Sequence, residues 1–76
     1  MQRVDATHTV HAIVSAHPKA LAAMVELGLD HIKKAAVLNT VGRVMTLKKG
    51  LASRDIDPEI AQAVFNKHGM TLEGIT

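Results

Sequence analysis

Five histidines are many for a chain of 76 residues, and imidazole is the side chain best suited to hold a metal or move a proton near neutral pH. Their spacing decides whether that chemistry is within reach. His8 and His11 stand three positions apart, but a helix cap at Thr9 leaves His8 outside the helix that carries His11. His17 ends that helix, and His31 and His68 fall in distant segments. No H-x-x-x-H pair and no carboxylate–histidine pattern appears, so no metal-ligand set is expected. The histidines read as solvated or cap-like, with His68 near a helix C-terminus where a cation is favoured. Haem ligation through a histidine or one of the four methionines stays open, although Phe65 is the only aromatic residue to wall such a pocket.

Catalytic groups fare worse. General acid–base work needs paired titratable groups whose environments separate their pKa values. Asp55 and Asp57 are close in sequence, but Asp57 precedes Pro58 as a helix cap. Ser15 and Ser53 have no neighbouring histidine–acid pair to activate them, and without cysteine there is no thiolate nucleophile, disulfide or thiol metal site. A chain of this length also has little room for the pocket of several hundred Å³ that small ligands usually occupy. The expectation is a protein that is not an enzyme, with no catalytic residue and no cofactor to assign.

Charge is more informative. The formal net charge is only +2, yet Lys33, Lys34, Arg43, Lys48, Lys49 and Arg54 fall in a stretch, residues 33 to 54, that holds no acid. A solvated basic face is the plainest reading; an acidic protein, a small anion or a nucleic acid are the sharper ones. Residues 46 to 54, a turn, and residues 58 to 68 have helix-turn-helix spacing. Against nucleic acid stand Glu59 at the end of the second helix that would approach the phosphates, Lys67 as that helix's one Lys or Arg, and the lack of stacking aromatics. Gly42-Arg43 in an irregular connector offers a backbone donor and a guanidinium fork for an anion, but no phosphate-loop pattern surrounds it. The contact surface is expected to include His31, Arg43 and Lys48 as binding residues.

The elements that must position these groups follow from composition and periodicity. Nearly half the residues are apolar, enough for one domain over residues 1–76 with a core of Ala, Val, Ile, Leu and Met. No signal-peptide pattern and no apolar run of the ~18 residues needed to span a bilayer is present, so a cytoplasmic protein without a membrane partner is expected. Val4 to Ala6 is β-tolerant. Thr9 caps a helix with Val10, Ile13 and Val14 on its apolar side, and Pro18 opens a second that buries Leu21, Met24 and Val25 and closes at Gly28. Ala35 to Leu38 suits a turn or two of helix, and Asn39 to Met45 reads as a connector bent at Gly42. Thr46 caps Leu47 to Arg54, where Gly50 suggests a closely packed neighbour. Asp57-Pro58-Glu59 starts a last helix with Ile60, Ala61, Val64, Phe65 and His68 on one face. Met70 to Ile75 alternates like a half-buried strand and is placed to pair with the segment at Val4. The fold class is therefore mainly α: about five short helices in a compact bundle, with a small two-stranded β element formed by the termini.

His17-Pro18, Glu26-Leu27-Gly28, Asn39-Thr40-Val41-Gly42-Arg43 and Thr46-Leu47, in that order, resemble a family of small bacterial helical domains of unknown function. Its members occur alone or ahead of hemerythrin-like and PAS modules. Cysteine-bearing cousins are the hybrid-cluster-protein-associated redox disulfide domains, which carry Cys-x-x-Cys just after the Leu-Gly that ends the second helix. This chain has His31 and Lys34 at roughly those positions, so the cousins' redox role does not carry over. The resemblance implies a compact helical bundle with a small β element and no established activity.

Three functions remain in view. The leading one is a non-catalytic protein-interaction or sensory accessory module that self-associates or docks to another protein. The alternatives are a small-ligand, metal or haem-binding regulatory module using the histidines around residue 31, and nucleic-acid binding through residues 33–54.

Overall fold

The computed structural model describes residues 2–75. Its elements run β1 (Gln2–Asp5), α1 (Val10–Ala16), α2 (Lys19–Glu26), a 3-10 turn (Asp30–Lys33), α3 (Ala35–Val44), α4 (Leu47–Ser53), α5 (Pro58–Lys67) and β2 (Met70–Glu73). The mainly α class, with five helices and a two-stranded sheet built from the two ends of the chain, matches the expectation.

β1 and β2 pair in parallel, with Val4 opposite Leu72. Parallel strands cannot be joined by a hairpin, so the whole helical segment serves as their crossover. The two-residue period of a strand turns Val4 and Ala6, and Met70 and Leu72, into the core. Phe65, Met24, Leu29, Ile32, Leu47 and Val10 complete the centre, each at most 1% exposed.

Helix starts follow their sequence signals. Thr9 accepts from the Ala12 amide at 3.1 Å, Thr46 from the Lys49 amide at 3.2 Å and Asp57 from the Glu59 amide at 2.8 Å. Thr9 and Thr46 also form an antiparallel bridge: Val10 N–H donates to the Met45 carbonyl (2.9 Å) and Leu47 N–H to the His8 carbonyl (3.1 Å). The N-terminal ends of α1 and α4 are thereby held side by side. Gly28 (φ +99°) and Gly69 (φ +81°) take the left-handed conformation that ends α2 and α5.

Three expectations are corrected. Asn39 to Val44 is not a connector bent at Gly42; it is the second half of α3. Gly42 is buried, and a Cβ there would lie 3.2 Å from Leu38 Cδ1 and 3.7 Å from the His11 backbone nitrogen. A methyl there would crowd Leu38 of α3 itself and meet α1 at ordinary distance; the packing of α3 against α1 and the 3-10 turn outweighs the roughly 1 kcal/mol helix cost of glycine. Gly50 faces inward as expected, but its surroundings leave ordinary contact distance for a methyl, 3.7 Å from Met45 Cε. Ile60 does not share the buried face of α5: it is 57% exposed, while Ala61 and Phe65 fill that face.

Candidate functional site

The three residues expected to bind sit on three different elements. His31 lies half-buried in the 3-10 turn, its Nδ1 3.2 Å from Arg54 Nη2. A guanidinium only donates, so Nδ1 accepts. Arg43 is exposed in the last turn of α3. Lys48 is exposed in the first turn of α4, at the rim of an open groove of about 480 Å³ floored by Leu51, Ile56 and Ile75. No hydrogen bond or ion pair among the described residues joins any two of the three.

The remaining histidines are dispersed. His8 Nε2 stands 3.6 Å from the Asp5 carboxylate, His17 Nδ1 3.0 Å from Gln2 Oε1, and His68 Nε2 3.3 Å from Glu26 Oε1. Among the described residues no three His, Asp or Glu side chains converge as a metal-ligand group. Hydrogen bonds from Lys67 and His68 hold the Glu26 carboxyl below the ordinary glutamate range. Asp5 is held low by the Thr7 hydroxyl, the Thr7 amide and the nearby His8. Glu26 ties the end of α2 to the end of α5, whereas the contacts of Asp5 stay within its own turn. Ser53 Oγ donates to the Gly50 carbonyl at 2.8 Å, which engages its hydroxyl within α4.

What the sequence reading missed is a surface. Val37, Val41 and Val44 recur at the i, i+4, i+7 spacing of one helical side, yet Val41 is 43% and Val44 80% exposed. Within the ten residues of α3 the buried position is Gly42, with Val37 and Leu38 half-buried. α2, by contrast, buries Ala20, Ala23 and Met24. Reading residues 39–45 as a connector hid this stripe; the valine spacing after Ala35-Ala36 was the signal that could have found it.

Over residues 4–60 the chain matches the family described as a domain of unknown function, DUF1858. The chain belongs to that family. The DUF1858 match runs from β1 through α1–α4 into the first turn of α5, so it includes the whole of the α3 stripe. No match was found among curated proteins or solved structures. The DUF1858 description names no activity.

Proposed function

We propose that this DUF1858 domain is a non-catalytic protein-interaction or sensory accessory module that engages a protein partner, or a second copy of itself, through the outward side of α3. The observation that carries this reading is the 80% exposure of Val44 beside the 43% exposure of Val41 on a helix that buries so little of its own apolar side. Completing the burial of one such side chain stabilises a complex by about 1.5 kcal/mol. Arg43 borders this side and Lys48 follows it on α4, while His31 precedes α3 in the 3-10 turn. On this reading nucleic acid is not the partner, because Asp57 and Glu59 put two carboxylates at the end of α5 that would meet phosphates. No helix among the described residues is long and apolar enough to cross a membrane. A cysteine-free chain suits a reducing compartment, and we place the domain in the cytoplasm. Kinship with the hybrid-cluster-protein-associated redox disulfide domains belongs to the same proposal, with His31 and Lys34 replacing the reactive pair.

The test is a photo-crosslinking residue at Val44, compared with one at exposed Ala63 on α5. Discrete cross-linked species are expected at Val44 alone. Equal or absent cross-linking at the two positions would retire the reading.

A further inference from the structure

We infer that the outward side of α3 takes an acidic amphipathic helix from another protein rather than a second copy of this chain; the inference rests on the docking reading above and names its occupant. The apolar stripe fits a helix: Val37, Val41 and Val44 run along two turns at the spacing by which one helix offers its side to the ridge of another. Lys34, immediately before α3, continues that stripe at i−3 from Val37, and Arg43 flanks its other end. Lys33, Lys34, Arg43, Lys48 and Lys49 are all exposed, and among the described residues none of them makes an ion pair. α1, α3 and α4 contain no acid; the acids lie on β1, β2 and α5, at the end of α2, in the 3-10 turn and in the α4–α5 loop. The fold thus sets the apolar side of α3 between unpaired cations: Lys33 and Lys34 before it, Arg43 in its last turn, and Lys48 and Lys49 on α4.

This charge pattern separates the two occupants. A two-fold dimer through α3 brings the same patch of each copy together, so the cations of one copy face a surface that carries cations and no acid on its helix. A partner helix with Asp or Glu beside its apolar positions meets those cations with opposite charge, and charge complementarity of this kind selects partners and speeds encounter. The apolar stripe supplies the contact and the flanking cations supply the choice.

The experiment titrates the full-length, isotopically labelled chain with two synthetic helical peptides that share one leucine face. One carries glutamate on the flanks; its twin carries lysine. Saturable amide shifts are expected over residues 34–45, with the acidic peptide binding at least about tenfold more tightly than its twin and losing affinity as salt rises. Lys34→Glu combined with Arg43→Glu, both on exposed side chains, should reverse the preference while leaving the circular dichroism spectrum unchanged. Val44→Asp should abolish binding by both peptides. Equal binding of the twins, shifts mapping away from α3, absence of saturable shifts, or an α3-mediated dimer that the acidic peptide fails to dissociate each overturns the inference. A Val44 cross-link to a second copy leaves the docking reading standing while this inference falls; with no specific Val44 cross-link both fall.

Discussion

The side chain of Gln62 grips the backbone of Leu72 at both of its hydrogen-bonding groups: Nε2 donates to the Leu72 carbonyl at 2.8 Å, and Oε1 accepts from the Leu72 amide at 2.8 Å. In a parallel pair alternate residues turn their backbone groups away from the partner strand, and Leu72 is such a residue of β2. The amide of Gln62 therefore stands where another strand would otherwise pair, fastening α5 to β2 and closing that edge.

Gln62→Ala should destabilise the domain by about 1–2 kcal/mol, because both Leu72 groups lose their partner in a half-buried position. Urea melts measure it. Gln62→Glu should recover only part of the loss at neutral pH, since a carboxylate accepts from the Leu72 amide but cannot donate to its carbonyl.

The two inward-facing helical glycines should respond differently to a methyl group. Gly50→Ala should raise stability by about 0.5–1 kcal/mol, the helix-propensity gain, since the new Cβ meets its neighbours at ordinary distance. Gly42→Ala should lose that gain, because Leu38 Cδ1 at 3.2 Å must yield within the α1–α3 contact. Thermal melts that rank the two the other way would contradict the packing described for α3.

Asp55 carries the left-handed turn that ends α4. Its φ is +54°, its amide donates to the Ala52 carbonyl at 3.1 Å, and the Ile56 amide reaches back to the Leu51 carbonyl at 3.0 Å. Asp55→Gly should stabilise the fold by up to about 1 kcal/mol by relieving the Cβ crowding. Asp55→Val should destabilise it, as a β-branched residue strongly resists this conformation. Chemical denaturation of both variants reads the pair of signs.

Glu26 links the end of α2 to Lys67 and His68 at the end of α5, and its folded-state pKa is lowered by their hydrogen bonds. A depressed carboxylate pKa contributes stability that is fully present above the unfolded value, about 4.3, and is lost as pH falls through the folded value. Glu26→Gln should therefore be less stable than the parent at neutral pH, with the gap closing in acid. A gap that stays constant from neutral to acidic pH would show that the carboxylate charge is not what ties α2 to α5.

Much of the architecture was legible because it is local. Thr9, Thr46 and Asp57 cap amides two or three residues further on, Gly28 and Gly69 adopt the conformation that glycine alone takes freely, and the alternation of Met70 to Glu73 marks a strand without reference to its partner. The candidate surface was not legible, because it depends on α3 continuing through Gly42. Local propensity reads Gly42 as a bend; whether the helix runs on through a glycine depends on what packs against it, and here α1 and the 3-10 turn do.

From the sequence alone came the helical class, the capped helix starts at Thr9, Thr46 and Asp57, the stops at Gly28 and Gly69, the pairing of the two ends of the chain, and the concentration of cations between residues 33 and 54. Tertiary structure decided which apolar side chains those helices leave outside, and so turned Val41 and Val44 from supposed connector residues into a surface. The physical reason is that capping and periodicity act within a few residues of one chain segment, whereas exposure is settled only when α1 and the 3-10 turn have taken their share of α3 and Val41 and Val44 are left outside.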